Sequence, residues 1–433
     1  TVGGNAQLTS GGDMTLSGGI GAQNVGTLTA GGSINAGSVT FGQQATLNAG
    51  GSIGVTGGVL TNGALNATAG NDLSMGSAQA GGAIALQAQG HNGAGDVNVG
   101  GTLASGSAVS VTAARDATVV GNASATDKLT VTAGRNLTTS GTVGANSDVT
   151  LTATRGNLNV GGAVTSQGNL KATSGGTLAL NGELVNGDTT LTAGGTATLT
   201  GSFLGLGLAT INAGGSVNGG GALTFGKDIT IGAGAGITLG GIQGAGLFTA
   251  TSVGDMSLGA TTAVGNVTAT STGGSVSFGG DLQSGGNVAI QAARDAKVTG
   301  AVSSMGTVNV TGTQGNVNVA GVSSNGDTTM SAGQKLALSG SSTVAGQFKL
   351  SGGNVTLSGS QGGSKNVSVT AQGTLDASQA SMVSTGNMQF SGTNVTLGTA
   401  IVGGALTAAA SNQLSLVGSA VDVVGAATLT SGN

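Results

Sequence analysis

Three arginines recur at one spacing and are the clearest candidates for ligand chemistry in this sequence. Arg115, Arg135 and Arg155 are evenly spaced along the chain. If the chain winds once per such interval, the three guanidinium groups stack, and they could then bind a carboxylate, a sulfate or a sialic-acid-like group. The alternative is that they are solvated corner residues, splayed apart by repulsion and partly offset by nearby carboxylates. The aspartates that could offset them are Asp116, Asp127 and Asp148.

Aspartate and asparagine share a second recurring position, directly before an apolar residue of each repeat. The residues at this position are Asp13, Asp72, Asp96, Asp116, Asp255 and Asp295, together with Asn136, Asn157, Asn316, Asn354 and Asn394. Such side chains accept hydrogen bonds from backbone N–H groups at turns, which favours a structural role. The competing hypothesis is a calcium site, but calcium-binding solenoids use nine-residue repeats. We therefore predict no metal site and no cofactor.

The single histidine, His91, is a poor candidate for catalysis or zinc binding. The sequence has no cysteine and no second histidine, so a zinc site cannot be completed. A β-helix polysaccharide lyase or hydrolase would need clustered acids and bases, usually with aromatic sugar platforms. Here the acids are scattered singly, and tryptophan and tyrosine are absent. We predict no catalytic residues and no enzymatic activity.

One apolar run breaks the alternation seen elsewhere in the sequence. Phe203, Leu204 and Leu206 lie in a stretch where both parities are apolar or glycine. Both sets of side chains cannot face inward, so either an exposed contact patch or a locally wider core is expected.

The composition excludes several classes of protein. Charged residues make up 6% of the 433 residues, against about 25% in an average globular protein. The net charge is only −4, and no basic surface with interleaved aromatic residues is present, so we expect no nucleic-acid partner. The 90 glycines follow no three-residue period and proline is absent, which excludes collagen.

A repeat of about 20 residues runs through the chain, a period typical of solenoids. Its unit reads Thr-Φ-Thr-Ala-Gly-Gly-x-Φ, where Φ is apolar, as at 27–34 and 190–197. The second Φ recurs from Met14 to Leu414 at nearly constant intervals, with one longer interval between Leu73 and Val97. Equivalent positions of successive units should therefore lie on successive coils.

Alternation of apolar and polar residues within each unit predicts short β-strands. The glycine pairs between them predict tight corners, where we expect glycine to supply a positive φ. The sequence thus predicts an all-β parallel solenoid with about 20 residues per coil and roughly 21 coils, continuous over 1–433 without a linker. Leu137, Leu158 and Leu178 should stack above one another.

The Gly-Gly-x-Φ-x-Φ units at this spacing, such as Gly31-Gly32-Ser33-Ile34, resemble the repeats of filamentous haemagglutinin-type exoproteins. These are passenger proteins of two-partner (type V) secretion in Gram-negative bacteria. The resemblance implies a right-handed parallel β-helix, exported through an outer-membrane transporter and held at the cell surface or secreted. The family's Asn-Pro-Asn-Leu-type secretion motif cannot occur in a chain without proline. We therefore expect a central shaft segment of a larger exoprotein.

The resemblance implies one of two functions. The first is a structural or adhesive shaft of an adhesin or biofilm matrix protein, with a cell-surface glycan, a protein or an exopolysaccharide as partner. The second is the stick of a contact-dependent growth inhibition effector that delivers a carboxy-terminal toxin. Lengthwise self-association is also expected, because neither end of the sequence shows an amphipathic cap and open strand edges pair readily.

Overall fold

The computed structural model describes residues 1–418 and 420–432. It divides into two compact units, Thr1–Gly221 and Ala222–Asn433. Each unit is an all-β, right-handed parallel solenoid, as the repeat and the resemblance together predicted. No helix among the described residues has the length and hydrophobicity needed to cross a membrane.

The first unit is built from short parallel strands. They are β1 Ala6–Ser10, β2 Met14–Ala22, β3 Gly26–Ala30, β4 Ile34–Phe41, β5 Ala45–Ala49, β6 Ile53–Thr61, β7 Leu65–Ala69, β8 Leu73–Ala80, β9 Ile84–Ala88, β10 Val97–Val99, β11 Leu103–Ser105, β12 Val109–Ala113, β13 Ala117–Val119, β14 Ala123–Ala125, β15 Leu129–Ala133, β16 Leu137–Thr139, β17 Val143–Ala145, β18 Val149–Ala153, β19 Leu158–Val160, β20 Val164–Ser166, β21 Leu170–Ser174, β22 Leu178–Val185, β23 Thr189–Ala193, β24 Ala197–Gly205, β25 Ala209–Ala213 and β26 Val217–Gly219.

The second unit repeats the same arrangement. Its strands are β27 Leu223–Phe225, β28 Ile229–Ala233, β29 Ile237–Leu239, β30 Ile242–Gly244, β31 Phe248–Ser252, β32 Met256–Leu258, β33 Thr261–Ala263, β34 Val267–Ser271, β35 Val276–Phe278, β36 Leu282–Ser284, β37 Val288–Ala292, β38 Ala296–Ser304, β39 Val308–Gly312, β40 Val317–Ser324, β41 Thr328–Ala332, β42 Lys335–Leu338, β43 Ser342–Val344, β44 Phe348–Gly352, β45 Asn354–Gly363, β46 Val367–Ala371, β47 Thr374–Ser384, β48 Met388–Val402, β49 Leu406–Leu416, β50 Val421–Val423 and β51 Ala427–Ser431.

A coil has three strand positions, which β15, β16 and β17 illustrate. Each of these strands pairs in parallel with the strand one coil later, so that Leu129 aligns with Val149 and Val143 aligns with Val164. In some coils, including those of β22 and β24, the second and third positions merge into one bent strand with a register shift. The predicted stacking of Leu137, Leu158 and Leu178 is confirmed by their direct register pairing.

The core consists of inward side chains that pile into columns of aliphatic residues. Leu137, Leu158 and Leu178 are each fully buried. Phe41 fits because its neighbour has no side chain: a Cβ on Gly26 would lie 2.0 Å from the ring of Phe41. A tube this narrow explains why large side chains are rare in the sequence.

The predicted reason for the corner glycines is wrong. Among the described residues, a positive φ occurs at only six glycines, and neither Gly31 nor Gly50 of the regular corners is one of them. These corners instead lie against the backbone of the preceding coil. A Cβ on Gly31 would lie 2.3 Å from the Gly11 carbonyl oxygen, and a Cβ on Gly50 would lie 2.3 Å from that of Gly31. Glycine is required for close approach between coils.

The one long interval of the repeat, between Leu73 and Val97, forms a loop. A short 3-10 helix covers His91–Gly93. Here glycine does supply positive φ values, at Gly90, Gly93 and Gly95. The loop therefore bulges from an otherwise regular coil.

Candidate functional site

Two of the three repeated arginines form ion pairs with the preceding coil. The Arg115 guanidinium donates to both carboxylate oxygens of Asp96, at 2.9 and 2.6 Å, and to the Gly93 carbonyl oxygen at 2.6 Å. The Arg135 guanidinium forms the same two-pronged pair with Asp116 one coil later. Planar, bidentate pairing of this kind is among the stronger charge interactions in proteins.

These pairs stabilise the ionised carboxylates. Hydrogen bonding from Arg135 lowers the pKa of Asp116 to about 2, and hydrogen bonding from Arg115 likewise lowers the pKa of Asp96. The charge on each arginine is therefore already engaged by a neighbouring side chain. Neither is positioned as a vacant anion site.

Arg155 differs from its two counterparts. One coil earlier, the position that would hold its carboxylate is occupied by Asn136, and Nε of Arg155 donates only to the Gly134 carbonyl oxygen, at 3.2 Å. No carboxylate lies within ion-pair distance of Arg155 among the described residues. The three arginines thus do not form one uniform cluster.

The ion pairs only partly match the aspartates that were expected to offset the arginine charges. Of the three predicted, only Asp116 pairs with an arginine; within the described chain, Asp127 and Asp148 do not. Asp148 instead accepts a hydrogen bond from the Asn169 backbone N–H at 2.7 Å, at a different corner of the coil. Asp96, the partner of Arg115, lies one coil before that arginine.

The recurring Asp/Asn position has the structural role that its sequence predicted. Asp96 accepts from the Asp116 N–H, Asp116 from the Asn136 N–H, and Asn136 from the Asn157 N–H, at 3.1, 3.0 and 2.9 Å. Each side chain caps the same position one coil later, so the bonds form a ladder along the corner. The ladder continues one coil further, where the Thr177 backbone N–H donates to the Asn157 side chain.

A second ladder at another corner was not predicted. Its side chains come from Asp148, Asn169 and Asp188, each of which accepts from a backbone N–H one coil later. The same pattern appears in the second unit at Asn266 and Asn287. The available signal was the Asp or Asn that lies directly before many, though not all, of the five-residue strands. Both corners therefore use their polar residues to satisfy backbone donors.

His91 and the acidic residues assemble no metal site. His91 lies in the exposed 3-10 turn, and no group of three or more His, Cys, Asp or Glu side chains able to hold a metal ion occurs among the described residues.

The apolar run splits into two sets of side chains. Phe203 is buried in the core, which removes it from the candidate contact surface. Leu204 and Leu206 are 43% and 59% exposed, and Leu184, one coil earlier, aligns with Leu204 and is also exposed. Leu184, Leu204, Leu206 and Leu208 form an exposed leucine patch on the first unit.

Glu183 is the only glutamate in the sequence, and the sequence analysis did not single it out. Glu183 is 5% exposed and faces the core between Val164 and Phe203. The Thr189 hydroxyl donates to its Oε1 at 3.1 Å, while Oε2 has no hydrogen-bond partner. Burial raises the pKa of Glu183 to about 8. Its carboxyl is therefore mostly protonated at neutral pH.

The sites predicted from the sequence are thus mainly devices that hold coils together. Arg115 and Arg135 clamp the preceding coil, and the Asp/Asn ladders satisfy corner N–H groups. Features that remain accessible to a partner include the Arg155 guanidinium, which has no carboxylate partner among the described residues, the leucine patch and the outward polar side chains of the strands. Comparison of the chain with protein-family models, curated proteins and solved structures finds no match to any of them.

Proposed function

We propose that this protein is a non-catalytic structural or adhesive shaft of a secreted bacterial surface exoprotein. The observation that carries the proposal is the in-register stacking of coils within each unit, as in Leu137, Leu158 and Leu178. Such stacking creates long, uniform outward faces, on which short polar side chains repeat once per coil. Extended surfaces of this kind suit solenoids that bind or display partners.

The sequence supports placement outside the cell by the proposed route. Export through an outer-membrane transporter requires an unfolded chain, and the absence of cysteine means that no premature disulfide can block passage. The repeat resembles that of two-partner secretion passengers. The corresponding partners are the transporter during export, and a glycan, protein or exopolysaccharide at the surface afterwards.

Bead retention tests the adhesive role directly. Beads coated with the purified protein would be washed over a film of bacterial exopolysaccharide and over cultured epithelial cells, with albumin-coated beads as the control. We expect saturable retention on at least one surface, inhibited by free protein. Retention no greater than that of albumin on both surfaces would contradict the proposal.

Antibody labelling tests the location. Intact producing cells should bind antibody raised against the protein and should lose that signal after external protease treatment. Labelling that requires prior permeabilisation of the cells would show that the protein is not at the surface.

A further inference from the structure

A shallow groove of about 440 Å³ runs along one face of the second unit. Its floor consists of Thr262, Gln283, Ser303 and Ser323, which are register partners on four successive coils. Its wall includes Val264 and Met305. These six residues define the Gln283 groove, whose volume falls within the about 300–1,000 Å³ typical of ligand sites.

The polar groups on the floor of the groove are unused by the fold. The side chains of Gln283 and Ser303 make no hydrogen bond among the described residues, although the sheet beneath them is fully paired. The next serines along the strands behave differently: the hydroxyls of Ser284 and Ser304 are buried and donate to the Gly265 and Gly286 carbonyl oxygens. The floor therefore offers free donors and acceptors once per coil, about 4.8 Å apart.

The wall of the groove contains a fixed notch. Val264 and Met305 are 67% and 71% exposed and lie two coils apart, with Gly285 between them. A Cβ at Gly285 would lie 2.2 Å from the Val264 carbonyl oxygen, so no side chain can fill this position. The result is a gap flanked by two apolar side chains, beside a polar floor.

These features select the class of ligand. No charged residue lines the groove, which disfavours an anionic or cationic chain. An added peptide strand needs an open sheet edge, whereas this site is a sheet face whose backbone groups are already paired. An extended β-1,4-linked hexose polymer advances by about the same distance per sugar as the solenoid does per coil. Its hydroxyls match the floor, and the C–H face of a ring matches the notch.

We infer that the Gln283 groove binds a neutral linear polysaccharide that lies along the solenoid, with about one sugar per coil. This deepens the proposed adhesive role and rests on it for its biological meaning. Gln283 and Ser303 donate to and accept from sugar hydroxyls. Val264 and Met305 hold one ring between them.

Calorimetry on the intact protein tests this assignment. The probes are the linear hexasaccharides of β-1,4-glucose, β-1,3-glucose, β-1,4-mannose and α-1,4-glucose, with heparin and unfolded casein as anionic and peptide competitors. We expect at least one neutral hexasaccharide to bind with a Kd of about 10 μM to 1 mM. Gln283→Ala and Met305→Ser should each weaken that binding about fivefold or more, because each removes one contact.

Matched exposed positions in the same unit supply the controls. Gln389→Ala and Val253→Ser make comparable substitutions at exposed residues outside the groove and should leave the affinity unchanged. Circular dichroism of every variant confirms that the fold is intact, which is expected because the altered side chains are exposed.

Failure of the groove assignment can be distinguished from failure of the proposed adhesive role. Absence of binding by all four hexasaccharides, equal affinity in Gln283→Ala, or binding of heparin or casein that Gln283→Ala abolishes would each overturn the assignment. The bead assay distinguishes this from failure of the adhesive role. Beads coated with Gln283→Ala that are still retained would preserve adhesion while excluding this groove as its cause.

Discussion

Glu183 makes the free energy of unfolding of the first unit depend on pH. Its folded-state pKa of about 8 lies above the ordinary value of 4.5, because burial disfavours the charged form. Below about pH 4.5 the carboxyl is protonated in both the folded and unfolded states. As the pH rises from there to about 8, the unfolded chain loses this proton while the folded chain keeps it, so the free energy of unfolding falls.

We expect Glu183→Gln to stabilise the protein at alkaline pH. The penalty removed is on the order of 5 kcal/mol above pH 8, from a pKa difference of 3.5 at 1.36 kcal/mol per unit. Guanidinium denaturation of both proteins at pH 5 and pH 9 measures this. The midpoints should be close at pH 5 and should separate at pH 9, with the variant higher; an equal difference at both pH values would contradict the burial of Glu183.

For individual residues, the sequence predicted the structural role of a side chain better than it predicted which residue that side chain contacts. The Asp/Asn position was correctly assigned to backbone hydrogen bonding, because short polar side chains at corners have few alternatives. The pairing of Arg115 with Asp96 was not predicted, since it depends on the direction in which a long side chain leans across coils. The burial of Glu183 was missed because Gly182, at φ 80°, resets the alternation just before it.

Corners are the elements that limit substitution most strongly. Gly134 and Gly144 lie in the same coil but in different environments. A Cβ at Gly134, in the corner, would lie 2.1 Å from the Ala114 carbonyl oxygen, whereas at Gly144, in β17, the nearest atom is 3.8 Å away. The two positions therefore separate the effect of crowding from the effect of losing a glycine.

We predict opposite effects of alanine at these two glycines. Gly134→Ala should destabilise the first unit by about 1–3 kcal/mol, because the neighbouring backbone must shift. Gly144→Ala should be neutral or should stabilise by up to about 1 kcal/mol, through reduced freedom of the unfolded chain. Thermal and guanidinium denaturation provide the measurement, and similar destabilisation by both changes would show that coil spacing is not the constraint.

The 20-residue period predicted the strands and their register well, because equivalent positions of successive coils carry the same type of residue, apolar or polar. Irregular elements were harder to predict. Gly201, with a φ of 77°, interrupts β24 with three successive exposed residues at 200–202, after which Phe203 resumes the inward parity of Leu199. Alternation counted along the sequence gives Phe203 the same inward parity, but it cannot show whether the leucines of the opposite parity are exposed or lie in a wider core. The leucine patch was therefore one of two open alternatives until the structure separated the two sets of side chains.

At the scale of the whole molecule, both units repeat one design. Each coil buries aliphatic side chains inward, satisfies its corner donors through side chains of a neighbouring coil, and presents short polar residues outward. Because contacts are made mainly between neighbouring coils, stability should accumulate along each unit. Free outward groups such as those of the Gln283 groove were invisible in sequence, since only the register shows which residues share a column.

Successive coils stack in parallel and in register. The chain has no cysteine, so paired cysteines report on this without interference. Thr130 aligns with Thr150 in the first unit, and Thr249 aligns with Thr268 in the second, each pair being one coil apart. Adjacent coils place such residues about 4.8 Å apart, which is within reach of a disulfide.

Disulfide formation in double-cysteine variants is therefore the most direct test. Under mild oxidation, Thr130→Cys with Thr150→Cys and Thr249→Cys with Thr268→Cys should cross-link nearly completely within one chain, as read by mass spectrometry of proteolytic peptides. Thr130→Cys with Thr190→Cys, three coils apart and about 14 Å distant, should remain reduced. Efficient cross-linking of that distant pair, or none in the two aligned pairs, would contradict the stacked solenoid.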